Sequence, residues 1–267
     1  MTKETNARMT NKKTYISKND FHSAHQFAKI NKHIDICLTL IERLIKINDK
    51  CRTEVANNLK IENYIIDYRA DQFGYYDNTL KSIYYSCFSL KYVYDISTFM
   101  NFKEIDNTIG LTLDNQRAYI TFTAIVKLSS MFEYTRKVYE KNISGKPYFD
   151  KLREKYSDKV DSLELLNNFR NTIHSNGKWK PKNNADNLTY SLREGEQVIK
   201  PGETFKYDHW KIYRIIKDCL ELNKLMALDN EAERLRQTRI EINGQKLAVL
   251  KTDMTTEDWE RIFYNQR

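Results

Sequence analysis

The residues with the clearest chemical potential sit together in SDKVDSLELLNNFRNTIHSNG, where Arg170, Asn171 and His174 fall within five positions. Arg170 and His174 are four residues apart, so on a helix they lie one turn apart on the same side. A guanidinium can hold a phosphate, and an imidazole can give or take a proton near neutral pH. Acting on the same atoms, such a pair can cleave RNA without a metal. A base removes the proton of a ribose 2′-OH, the oxyanion attacks the adjacent phosphorus, and an acid protonates the departing 5′-oxygen. The bland alternative is that two basic groups in a last helical turn complement the helix dipole, before an ordinary stop at Asn176 and Gly177.

At about 100° per residue with Leu166 as zero, Phe169 falls at about 300°, Ile173 at about 340° and Leu163 at about 60°. These define an apolar stripe about 120° wide. Arg170, at about 40°, lies inside it, while His174 at about 80° and Asn167 at about 100° lie on its edge. A guanidinium so placed needs an anionic or hydrogen-bonding partner, because burying it unpaired costs several kcal/mol. That partner is expected to be a carboxylate or a phosphate. Glu133 and Arg136 in FEYTRKV, with Asn167, are candidates to support the site, since a carboxylate from a neighbouring helix would orient Arg170 or His174. An ion pair between Glu133 and Arg136 on the surface is the alternative. Just after the motif, GKWKPK groups Lys178, Trp179, Lys180 and Lys182, a basic cluster with an aromatic that could hold phosphates and stack a base. The alternative, which the burial tendency of Trp favours, is a solvated loop with Trp179 anchored in the core.

Elsewhere the chemistry is thinner. His22, His25, His33 and Cys37 occupy one predicted helix at spacings of three, eight and four, but a single helix rarely closes a tetrahedral metal shell. No metal or cofactor is expected. His209, beside Trp210, reads as structural. The sequence has no phosphate-cradling Gly-rich loop, nucleophile elbow or paired-carboxylate motif, so NTPase, serine hydrolase and glycosidase chemistry lack support.

The elements that must position these residues are legible in composition. Of 267 residues, 40% are hydrophobic and 30% charged, with 18 Tyr and 12 Phe, enough to fold one large or two small domains. Only 7 Gly and 3 Pro favour helices over a turn-rich β fold. The net charge of +8 suits a polyanionic partner without identifying one. Cys37, Cys51, Cys87 and Cys219 are scattered, as free thiols in a reducing compartment would be. A polar, basic first twenty residues and the lack of any eighteen-residue apolar window lead to the expectation of a soluble, cytoplasmic protein without a membrane partner.

Residues 1–16 read as a flexible arm. A long amphipathic helix follows from Phe21 through Ile45, continuing less cleanly to Ile66. DQFGYYDN (71–78) supplies turn residues before a helix over Ile83 to Phe99, and DNTIGLTLD (106–114) reads as a connection. Helix Asn115 to Lys141 is stopped by NISGKP, a short helix covers Tyr148 to Tyr156, and Ser157 introduces the helix that carries the motif. Residues 187–207 read as a β-hairpin or small three-stranded insertion, with turns at Glu194–Gly195 and Pro201–Gly202. Helix resumes near Trp210 and runs to about Arg236. RIEINGQKLAVL suggests a second hairpin turning at Asn243–Gly244, before a short closing helix. The expected organisation is an all-α helical bundle over 17–228 with small hairpin insertions, and a C-terminal extension over 229–267.

FRNTIHSNG resembles the signature of HEPN-type proteins, an all-helical superfamily in which Arg, a polar residue and a spaced His lie on the helix that forms a dimeric ribonuclease site. The match covers Arg170, Asn171 and His174. The resemblance implies a metal-independent endoribonuclease, commonly a toxin or abortive-infection effector in bacterial defence against phage. It also implies a homodimer, and as a regulated effector an antitoxin or phage-derived trigger is a further expected partner. The alternative is a non-catalytic helical module of the same fold that binds RNA or a partner protein.

Overall fold

Six α-helices and one antiparallel hairpin form the regular structure of the computed structural model, which describes residues 18–61, 67–99, 107–143, 148–175, 178–179, 187–193, 195–203 and 208–239. The helices are α1 (Lys18–Asn58), α2 (Tyr68–Phe99), α3 (Asn107–Asn142), α4 (Tyr148–Lys155), α5 (Ser157–His174) and α6 (His209–Ala227). Strands β1 (Leu188–Leu192) and β2 (Gly195–Ile199) lie between α5 and α6, and a 3₁₀ segment covers Asn230–Arg239. The protein is therefore all-α with one small hairpin among its described residues. None of its described helices is long and apolar enough to cross a membrane.

α1 packs along α2 and α6, and α5 is sandwiched between α3 and α6 with α4 and β1 against it. The core runs through all of these, with Val55, Phe73, Ile125, Phe132, Leu165, Leu166, Cys219 and Leu220 each fully buried. Packing on two sides explains why α5 buries a wider arc than its apolar stripe: Ser162, Leu165 and Thr172 are covered along with Leu163, Leu166 and Phe169.

Three expectations are corrected. DQFGYYDN is not a turn but part of α2. A lone mid-helix Gly such as Gly74 costs about 1 kcal/mol, whereas burying Phe73 and Tyr76 gains about 1.5–3 kcal/mol each; both rings are buried. Asp67 then starts the helix, its Oδ1 accepting from the Arg69 backbone N–H at 2.9 Å. DNTIGLTLD is not a connection either, since α3 begins at Asn107, anchored by Leu113 in a cluster with Ile34, Leu90 and Tyr94. Finally, α6 ends at Ala227 rather than near Arg236. Beyond it Asp229 Oδ1 accepts from the Glu231 backbone N–H at 3.0 Å, and Ala232 and Leu235 are buried three residues apart, the period of a 3₁₀ turn.

The hairpin pairs Leu188 with Ile199 and Tyr190 with Gln197, and closes at Gly195, whose φ of +123° is open to glycine and strained for other residues. Among the described residues it has two strands rather than three. The N-terminal arm, the hairpin around Asn243–Gly244 and the closing helix lie outside the described residues.

Candidate functional site

α5 brings its polar rim against α3. Ser129 donates to Asn167 Oδ1 at 2.6 Å, and Arg170 Nη1 donates to Glu133 Oε2 at 2.5 Å. The wheel angles explain this: the side of α5 that carries Arg170 and Asn167 is the side that faces α3. The Arg170 and Glu133 side chains are each about one-fifth exposed (20% and 21%), so the pair sits half-sunk at the helix seam. Glu133 also meets Lys137 at 3.1 Å. Burial works to raise the Glu133 carboxyl, but the hydrogen bonds and charges of Arg170 and Lys137 outweigh it and hold the carboxyl below the ordinary range.

The guanidinium thus has its carboxylate, and that carboxylate is one of the two candidates in FEYTRKV. The other, Arg136, turns elsewhere: it lies 3.6 Å from Glu140 and over the Phe149 ring at 4.8 Å. Arg170 Nη2 donates to Asn171 Oδ1 at 3.3 Å. Asn171 and His174 are exposed, and the His174 imidazole makes no hydrogen bond or ion pair among the described residues. Arg170 keeps further N–H donors beyond these two contacts, because a guanidinium carries five. The arrangement is an anchored cation with spare donors and an exposed imidazole one turn beyond it.

The basic cluster after the motif separates. Lys178 is exposed, but Trp179 is only 3% exposed and belongs to the core. Its indole N–H donates to Asn168 Oδ1 at 3.2 Å, and its backbone bridges to Glu203 and Gly202. The expectation that Trp179 stacks a base is corrected: its ring face is spent on packing α5 to the hairpin. Lys180 and Lys182 lie outside the described residues.

Asn168 was not singled out in the sequence, yet it is the joint of this region. Its amide also donates to the Tyr190 hydroxyl at 2.5 Å, so one side chain ties α5, the loop after it and β1 together. Asp161 adds a second tie, accepting from the Ser191 backbone N–H at 2.7 Å. On the wheel Asn168 falls at about 200°, off the rim that carries Asn167 and Arg170, and α5 alone does not show which neighbours it meets there.

His209 proves to have companions that sequence distance hides. Cys37 Sγ lies 3.6 Å from its Nδ1, Arg117 Nη1 lies 3.4 Å from its Nε2, and the His33 ring meets it edge-on at 5.6 Å. His209 and Cys37 edge an apolar cavity among α1, α2, α3 and α6. Burial pushes the Cys37 thiol up to about 11 and, with Arg117 and His33 beside it, the His209 imidazole down. This is a packed cluster beside the Arg117 cation; no group of three or more His, Cys, Asp or Glu side chains placed to hold a metal ion occurs among the described residues. The side chains of His22 and His25 lie outside them.

Compared with protein-family models, curated proteins and solved structures, the chain matches none of them.

Proposed function

We propose that the protein is a metal-independent endoribonuclease of the HEPN kind, a cytoplasmic toxin or abortive-infection effector whose site is Arg170, Asn171 and His174. The observation that carries the reading is the Glu133–Arg170 pair at the α3–α5 seam, with His174 exposed one turn further along α5. Glu133 fixes the guanidinium without exhausting its donors, so the cation is oriented before any phosphate arrives. Residues at i and i+4 differ by about 40° around a helix, so a phosphate held by Arg170 is within reach of the imidazole.

His174 takes the 2′-OH proton or supplies one to the 5′-oxygen. The products are a 2′,3′-cyclic phosphate and a free 5′-OH. One helix contributes one such imidazole, and acid and base are needed on opposite sides of the phosphorus. A homodimer with two motifs facing each other supplies both. An antitoxin or phage-derived trigger that controls this pairing belongs to the same reading.

The test is incubation of wild type and His174→Ala with total RNA in EDTA, followed by mapping of the cleaved ends. Wild type is expected to leave cyclic phosphates, and the variant to lose activity by about 10²–10⁴-fold with its helicity unchanged. Cleavage that persists in the variant, or that strictly requires magnesium, overturns the reading. A second reading, a module that binds RNA without cutting it, is favoured by the neutralisation of Arg170 by Glu133. Under that reading the wild type retains RNA intact, with binding that weakens steeply as salt rises.

A further inference from the structure

α3 and α5 meet at one seam, where Ser129 contacts Asn167 and Glu133 contacts Arg170. Lys137, one turn further along α3, meets the same Glu133 carboxylate at 3.1 Å, yet its side chain is 63% exposed. The outer face of α3 extends from it through Lys127, Ser130, Tyr134 and Lys141, all exposed. At about 100° and 1.5 Å per residue, these five positions fall within an arc of about 80° and span about 21 Å.

No fully exposed position of α3 from Thr112 to Lys141 carries an acid. The three carboxylates in that stretch are each partly covered and already engaged. Asp114 pairs with Arg117, Glu133 with Arg170 and Lys137, and Glu140 with Arg136. A second copy of the chain docked symmetrically by this face would set lysine against lysine. An elongated polyanion would meet complementary charge along its whole length, and a tyrosine among the lysines, 64% exposed, offers a flat ring to a base.

We infer that this face of α3, joined to Arg170 through Glu133, is the track of a single RNA strand. Lys137 holds the phosphate next to the one that Arg170 holds, Tyr134 stacks an unpaired base, and Lys127 and Lys141 hold phosphates farther along. Duplex RNA keeps its bases stacked on one another and leaves the tyrosine nothing to stack, so the track selects single strands. The inference rests on the endoribonuclease reading, and its test separates the two.

The probe is a fluorescent 2′-O-methyl oligonucleotide, which lacks the attacking hydroxyl and reports binding without cleavage. Wild type is expected to bind the single strand at least about tenfold more tightly than the same sequence as a duplex, because stacking one base is worth about that factor or more. Lys137→Glu combined with Lys141→Glu should abolish most of that affinity and flatten its salt dependence. Tyr134→Ala should weaken binding about tenfold with the salt dependence unchanged, and Tyr134→Phe should restore it. The same charge reversal on α1, Lys46→Glu, should leave binding intact. Strand binding that survives the α3 variants overturns the track while the endoribonuclease reading stands, and so does equal affinity for duplex. If wild type binds neither form, the reading beneath it fails as well.

Discussion

Two arginine–carboxylate pairs in this molecule show how burial sorts one kind of interaction into two roles. Arg69 and Asp67, at the start of α2, are 4% and 1% exposed, and the guanidinium is locked to both carboxylate oxygens, with Nη2 at 2.7 Å from Oδ2. The network continues inward: the Arg69 carbonyl accepts from Gln72 Nε2, which also donates to the Tyr139 hydroxyl. Arg170 and Glu133 form a shorter chain at the surface seam, with a second cation, Lys137, on the same carboxylate and exposed polar groups on either side. The first pair is closed on itself. In the second, Arg170 is held by Glu133 and Asn171 and keeps guanidinium donors free, which the proposed phosphate contact would use.

Stability measurements sharpen the contrast. Arg69→Ala leaves the Asp67 carboxylate buried and uncompensated, and unfolding by urea should show a loss of about 3–5 kcal/mol. Arg170→Ala should cost less than about 1 kcal/mol, since a partly exposed pair contributes little and Lys137 still neutralises Glu133. RNA cleavage should nevertheless vanish in Arg170→Ala. Equal stability losses in the two variants would make Arg170 a structural residue and remove the distinction drawn here.

The smallest effect is one of pH. The Glu133 carboxyl is lower in the folded protein than in the unfolded chain, so the stability it adds is complete above the ordinary glutamate value of about 4.3 and is lost as pH falls through the lower folded value. His209 and His33 are also held down on folding, chiefly by burial and then by Arg117. Their contribution is complete above about pH 6.5 and declines as pH falls toward the depressed values. Thermal unfolding should therefore show a lower midpoint in mildly acidic buffer than at neutral pH, and His209→Leu should reduce the difference. A midpoint that rises on mild acidification would contradict the packing described for this cluster.

The legible part of the candidate site was the part that depends on one helix. The periods of α5 put Arg170, His174 and Asn167 on one rim, and the need of a half-buried guanidinium for a carboxylate pointed to Glu133 as one candidate. The same reading offered Arg136 beside it with equal weight. Trp179 was legible as an aromatic among lysines, but both stacking and packing fitted that description. Asn168 carried no signal, because its bonds to Tyr190 and Trp179 exist only once the hairpin folds back onto α5.

Composition and periodicity thus determined by themselves that the chain is helical, where most helices lie, that a hairpin follows the motif, and which residues share a helix face. These are properties of local backbone geometry and of the solvation of side chains, which neighbours in sequence already settle. Tertiary packing alone decided that α2 runs through DQFGYYDN, that Trp179 is core, that His209 meets Cys37 and Arg117, and that Glu133 rather than Arg136 meets Arg170. Each of these depends on the free energy of contacts between segments far apart in the chain. No local preference carries that information.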